Sequence, residues 1–224
     1  MTGRSSNDDI LQQLRLGIID FEISSSPVPS VSTHFPRSSS PSVAFTDATP
    51  RFFARIGNLA GSGSPALKKV ERYSVRRVTG DGRCMFRALV KGMALNKGVP
   101  LSSQEERENA DDLRMAVREI ICDNGNERQQ YEEALIAITV EEPLRRYCQR
   151  IRRPDFWGGE AELLVLSKLC CQHIVVYIPE HEHGSGGSGF IPIQEYGTEF
   201  HRSFKNKKAV RLLYSGKNHY DLLV

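Results

Sequence analysis

Apolar positions along the chain change their spacing from segment to segment, and each change predicts a different element. Up to residue 65 they are scattered among thirteen serines and six prolines, as in "EISSSPVPSVSTHFPRSSSPS". Such a stretch buries too little apolar surface to offset the entropy of ordering it, so residues 1–65 are expected to be a mostly disordered N-terminal segment. One exception lies inside it. Leu11, Leu14 and Ile18 follow helical spacing behind Asp8 and Asp9, which predicts either a transient helix or a short partner-binding one.

From about Val70 to Val224 periodicity returns and predicts one folded domain. Phe86, Leu89, Val90 and Met93 fall at i, i+3, i+4 and i+7, so a helix should begin at or just before Cys84. Ser102 and Glu105 form a capping box ahead of Leu113, Val117, Ile120 and Ile121, and Asn124-Gly125 reads as the stop. "ERQQYEEALIAI" predicts another helix. Pro143 suits the first turn of a third, with a stripe of Leu144, Tyr147, Cys148 and Ile151, and "GGEAELLVLSKLC" predicts one more after the Trp157-Gly158-Gly159 turn.

The last third alternates differently. "HIVVYIP", "FIPI", "AVRLLYS" and "HYDLLV" are short runs rich in β-branched and apolar residues and predict strands of one buried sheet. Gly-rich residues 181–189 separate the first two as a mobile loop. The expected class is α/β or α+β, with helices packed on a small sheet.

Composition narrows this picture only in places. The net charge of +3 with mixed signs gives no field that argues for nucleic acid or a membrane, and no apolar run is long enough to span a bilayer. The basic "RRYCQRIRRPDF", residues 145–156, is read as the solvated face of an amphipathic helix rather than a nucleic-acid patch. Five cysteines, an odd number without a signal-type apolar start, predict free thiols in a reducing compartment, cytoplasmic and also nuclear. Organelle targeting by the Ser-rich start is the lesser option, since Asp8, Asp9, Asp20, Glu22 and Asp47 are too acidic for it. Neither Cys170-Cys171 nor His181 and His183 has the spacing of metal ligands, so no metal is expected.

Chemistry concentrates at Asp81-Gly82-Arg83-Cys84. Glycines 80 and 82 leave backbone N–H groups uncovered near Cys84, as an anion-binding turn requires. If Cys84 opens a helix, the helix end should lower its thiol pKa and favour the thiolate. Two readings stand at this stage, a small buried hydrophobe or a nucleophile. A nucleophile needs a base. His34, His181, His183 and His201 are poorly placed, and His173 reads as a strand-start or core residue. His219 enters the last strand with Asp221 two positions on, where side chains share a face and the carboxylate can fix the ring's tautomer. A hydrogen-bonded surface His–Asp pair is the competing reading.

Taken together, "GDGRCMFRAL", "FWGGEAELLVLSKL" and "NHYDLLV" resemble the ovarian-tumour (OTU) domain family of papain-like cysteine peptidases, over residues 70–224 and in the family's order. The resemblance implies a papain-like OTU fold, a small central β-sheet packed between helices. It implies a deubiquitinase that cuts isopeptide bonds at the C-terminal glycine of ubiquitin through a thioester. Cys84 would be the nucleophile, His219 the base, Asp221 its orienting residue, and Asp81 part of the loop that shapes the oxyanion hole. Trp157 and Glu160 would pack near the cleft. No metal or cofactor is implied, and the partners would be ubiquitin, polyubiquitin chains or ubiquitinated proteins, met by a monomer. The rival is a catalytically silent ubiquitin-binding module of the same fold.

Overall fold

A computed structural model describes residues 70–183, 188–203, 208–216 and 218–224. The expectations for residues 1–65, with the spacing of Leu11, Leu14 and Ile18, and for the glycine-rich centre of the 181–189 loop lie outside the described residues.

The helix that carries Cys84, α1 (Cys84–Lys97), starts where the apolar spacing places it and ends on Gly98 in the left-handed region. There the Gly98 and Val99 N–H groups donate to the Leu95 and Ala94 carbonyls and close the last turn. Ser102 caps α2 (Ser103–Arg118): its hydroxyl accepts from the Glu105 N–H, and the Glu105 carboxylate accepts from the Ser102 N–H. Beyond Arg118 the helix widens into a π turn, Glu119–Asp123, which Asn124 stops by turning extended.

One predicted helix is broken. "ERQQYEEALIAI" divides into α3 (Gly125–Arg128), a 3-10 turn at Gln129–Tyr131, and α4 (Glu132–Glu141). Asn124 accepts from the Glu127 N–H and so starts a new helix, and buried Tyr131 leaves helical geometry at φ −118°, ψ 38°. Pro143 stands one residue ahead of α5 (Leu144–Arg150) as its N-terminal boundary, and α6 (Glu160–Leu169) follows the Trp157-Gly158-Gly159 turn.

The sheet contains the four anticipated strands, β2 (Ile174–Pro179), β3 (Phe190–Tyr196), β4 (Val210–Tyr214) and β5 (Tyr220–Leu223). A fifth, β1 (Val75–Arg76), had no signal in the sequence. Strand order is β1-β5-β4-β2-β3, parallel only between β2 and β4. A short α7 (Thr198–Ser203), also unanticipated, lies in the crossover between β3 and β4. Ile174, Val176, Leu212 and Leu222 join Phe86, Leu89, Val117 and Leu166 in the main core, which also includes α1, α2 and α6. The alternate residues Val175, Tyr177, Leu213 and Leu223 form a smaller cluster on the other face with Tyr73, Phe190 and Ala209. The fold is thus mixed α/β, with a small sheet and its helices as expected.

The expectation of free thiols is corrected. Cys122 and Cys148 form a disulfide across 26 residues, their Cα atoms 5.7 Å apart, because the π turn after α2 and the inner edge of α5 pack together. Cys84, Cys170 and Cys171 take part in no disulfide. The disulfide removes the cysteine-based ground for a reducing compartment.

How α1 sits on the sheet decides where Cys84 lies relative to β5. The close approach is made at Gly92, where a Cβ would fall 2.4 Å from Val210 Cγ1 and 3.1 Å from Leu222 Cδ1. Gly92→Ala should therefore destabilise the protein by about 1–2 kcal/mol in urea unfolding, overpacking outweighing the better helix propensity. Val210→Ala in the same chain should recover part of that loss; a stabilised Gly92→Ala protein contradicts the close packing.

Candidate active site

Three segments converge on Cys84: the Thr79–Arg83 turn, the first turn of α1, and the hairpin between β4 and β5. Cys84 is the first helical residue, and its side chain is almost fully buried. Its Sγ lies 3.7 Å from the carbonyl oxygen of Asn218, the residue before His219. The hairpin is built by left-handed turns at Gly216 and Asn218, with the Ser215 N–H donating to the His219 carbonyl and the His219 N–H to that of Gly216.

His219 Nε2 lies 3.1 Å from Asp221 Oδ1, so the ionised carboxylate accepts the Nε2 proton and leaves Nδ1 with its lone pair. That nitrogen faces the glycine turn, since a Cβ on Gly80 would lie 3.5 Å from it. Asp221 has no exposure to water. Its Oδ1 also accepts from the Val78 N–H at 2.9 Å, and its Oδ2 from Arg77 Nη1 at 2.9 Å. Both donors stand just beyond β1, which pairs Arg76 with Leu222 and so delivers the next two residues to Asp221. The His219–Asp221 pair is therefore an anchored, half-buried unit, not a surface pair.

The turn before Cys84 is held by a charge network. Gly82 adopts φ +83°, and a Cβ there would strike the Asp155 backbone at 2.8 Å, so both the conformation and the space call for glycine. Asp81 accepts from Arg87 Nη2 at 2.7 Å and from the Arg83 N–H at 3.2 Å. Arg87, buried, also bonds Glu106, which pairs with Lys91. Arg83 reaches Asp111, which Arg114 also holds, and Arg114 Nη1 donates to the Ile151 and Arg153 carbonyls at 2.7 Å each. Burial disfavours the Asp81 charge, but the hydrogen bonds and charges of Arg87 and Arg83 outweigh it and hold the carboxyl below its ordinary range. Asp111 is held low in the same way by Arg83 and Arg114.

Two expectations are sharpened by this geometry. Asp81 points into arginines and has no described contact with Cys84, so it is a positioning group of the turn. Of the amides at 81–84, that of Asp81 goes to the Thr79 carbonyl and that of Arg83 to the Asp81 carboxylate. The Gly82 N–H donates to no backbone carbonyl among the described residues and the Cys84 N–H faces its own sulfur, so neither is tied into the backbone and both can serve an oxyanion. The third expectation is corrected. Burial pushes the Cys84 thiol up, with the Asp81 charge adding to it, although the Tyr220, Met85 and Cys84 amides favour the anion. The helix end alone therefore leaves Cys84 a thiol, and a proton acceptor is needed to ionise it.

The Trp157-Gly158-Gly159-Glu160 stretch supports α1 from below. A Cβ on Gly158 would lie 2.5 Å from Met85 Cε and 2.9 Å from Phe86 Cζ. Glu162 closes the α6 start by accepting from the Gly159 N–H and from Tyr147 Oη, both at 2.6 Å. Trp157 is 44% exposed, and Glu160 is half-buried with its carboxyl pushed up by burial. His173 pairs with Glu195 at the sheet, apart from Cys84, as its strand-start position suggests. In the basic stretch, Arg146 and Arg150 pair with Glu142 and Arg153 with Asp155, which fits a solvated helix face. Arg77 and Arg87 were missed in the sequence because their partners are distant or appear only once the turn is folded. Among the described residues no group of three His, Cys, Asp or Glu side chains is placed to hold a metal ion.

Residues 79–220 match the family model described as OTU-like cysteine protease. An Arabidopsis thaliana protein called ovarian tumor domain-containing deubiquitinating enzyme 3 is 61% identical, over 98% of this chain and 97% of its own length. Its counterpart called enzyme 4, from the same plant, is 36% identical over 68% of this chain and 43% of its own. Among solved structures, the Hazara virus OTU bound to ubiquitin is 23% identical, with a TM-score of 0.45 over 68% of this chain and 80% of that one.

The charge network yields two expected outcomes. Arg87→Met keeps the volume but leaves Asp81 and Glu106 without their shared cation, and should cost about 3 kcal/mol in urea unfolding; Arg87→Lys, lacking the forked geometry, should recover only part. For pH, both Asp81 and Asp111 lie below the ordinary 3.8 when folded. Their contribution is complete above that value and lost as pH falls through the folded values, so acid unfolding should be shallower in Asp111→Asn than in wild type. Equal acid sensitivity would remove Asp111 from the network.

Proposed function

The chain belongs to the OTU-like cysteine proteases, and from that premise we propose that it is a deubiquitinase working through Cys84, His219 and Asp221. The reading is supported above all by one juxtaposition: a cysteine at a helix start, 3.7 Å from the carbonyl next to a histidine that a buried aspartate orients. It is supported too by the name of the 61% identical relative, which is a deubiquitinating enzyme.

Each step follows from the groups present. His219 Nδ1 takes the Cys84 proton as the thiolate attacks the carbonyl carbon of the ubiquitin C-terminal glycine. The new C–S bond displaces the carbonyl π pair onto oxygen, where the Gly82 and Cys84 N–H groups receive it. When the intermediate collapses, the C–N bond breaks and His219 gives its proton to the departing lysine amine. A water then loses its proton to His219 as it attacks the thioester carbon; the C–S bond breaks, ubiquitin leaves with a free carboxyl, and His219 returns the proton to the Cys84 sulfur. Asp221 keeps Nε2 protonated throughout, and Asp81 keeps the turn in place through Arg83 and Arg87. The substrates on this reading are polyubiquitin chains and ubiquitinated proteins, and the acting species is the monomer.

A ubiquitin bearing a C-terminal electrophile should label the wild-type protein covalently and leave Cys84→Ala unlabelled. His219→Gln should label at least about a hundredfold more slowly, having lost its proton acceptor. Folded wild-type protein that takes no label, or a Cys84→Ala protein that takes as much, would leave only the silent ubiquitin-binding module.

A further inference from the structure

We propose that Arg77 is a positioning residue of this site, a solvent-facing cation that sets the charge seen by the His219 ring through Asp221; its catalytic consequence rests on the reading above, its electrostatic effect does not. The observation is a contrast in burial across one ion pair. Arg77 Nη1 lies 2.9 Å from Asp221 Oδ2, yet the arginine side chain is 80% exposed and the aspartate side chain 0%.

Every described partner of Asp221 is thereby accounted for. Oδ1 receives the Val78 N–H and His219 Nε2, and Oδ2 receives Arg77. The two oxygens divide the labour: one holds the imidazole, the other is held by Arg77. A carboxylate buried with an unmet oxygen is costly, so Arg77 helps keep Asp221 ionised where water cannot. Its positive charge also offsets part of the aspartate's negative charge at the imidazole and so disfavours imidazolium.

The other charged or titratable groups near this pair are few. Cys84 lies beside the hairpin, with Tyr220 against it and Asp81 beyond, itself neutralised by Arg83 and Arg87. Arg77 is thus the described cation that contacts Asp221 directly, and it reaches the pair from the water side. Consequently the electrostatic setting of a buried site is exposed to the ionic strength of the solvent, which is unusual for buried pairs. An anionic group binding over Arg77 would act in the same sense as salt.

The test reads the ring itself. In the Cys84→Ala protein, where no thiol titrates with it, the His219 ring is followed by NMR across pH, with His219→Gln used for assignment. Removing one positive charge near Asp221 should move the ring's titration midpoint upward by about half a pH unit in Arg77→Gln, while Arg77→Lys stays close to the parent. Raising salt from about 20 mM to about 0.5 M should move the parent in the same direction and leave Arg77→Gln nearly still. In the protein with Cys84 intact, the acid limb of kcat/KM, where His219 must lose its proton to serve as acceptor, should move upward in Arg77→Gln, with KM unchanged.

A role confined to stability would lower the melting temperature of Arg77→Gln and leave the midpoint where it was, and that result overturns the proposal. So does a salt response of equal size in both proteins. If Arg77→Gln does not fold, a parent midpoint unmoved by salt overturns it alone. Failure of the deubiquitinase reading would instead appear as a folded protein without activity whose His219 midpoint still answers to Arg77.

Discussion

A carboxylate with no access to water must be matched by its neighbours, and Asp221 is matched from three directions. The Val78 amide, the Arg77 guanidinium and the His219 ring all end on it. Two of these come from the segment after β1, a two-residue strand that pairs with β5, with Ser74 just before it bonded to Val224. Much of what is placed around Cys84 depends on that arrangement. Were β1 displaced, Asp221 would lose two donors at once, and the imidazole would lose the partner that fixes which nitrogen is free.

The Cys84 side of the site is secured by a different material. There the turn at Gly82 is clamped between α1 and α2 by alternating charges, from Lys91 and Glu106 through Arg87 and Asp81 to Arg83, Asp111 and Arg114. Arg114 extends the chain to the carbonyls that follow α5, and Asp155 packs on Gly82 itself. Half the site is thus set by hydrogen bonds along a sheet edge, and half by a lattice of ion pairs between helices. Burial raises the cost of ionising Cys84, so this end of α1 holds a thiol and not a ready thiolate.

What could be read from the sequence was local. The Ser102–Glu105 box, the apolar spacing behind Cys84 and the i, i+2 relation of His219 to Asp221 each lie within one element, and each reappears in the fold. What stayed hidden depended on chain segments far apart. Arg77 and Asp221 are separated by 144 positions, so nothing near either one announces the pair. The two residues of β1 are exposed and carry no alternation, and become a strand only because β5 offers an edge. Cys122 and Cys148 join because α5 folds back on the π turn, itself a departure from the regular helix the periodicity implied. The burial of Cys84 was one of the two readings its sequence allowed, while the contact with the hairpin before β5 joins residues far apart in the chain.

The disulfide has a consequence for handling as much as for biology. The same small domain holds Cys84 as a thiol and Cys122–Cys148 as a disulfide. A dithiol reagent added to protect the first therefore attacks the second, and an oxidant that secures the second threatens the first. The bridge ties α5 to the end of α2, and Arg114 of α2 reaches the carbonyls that follow α5. Redox conditions in the tube thus act on the clamp around the turn before Cys84 as well as on its sulfur.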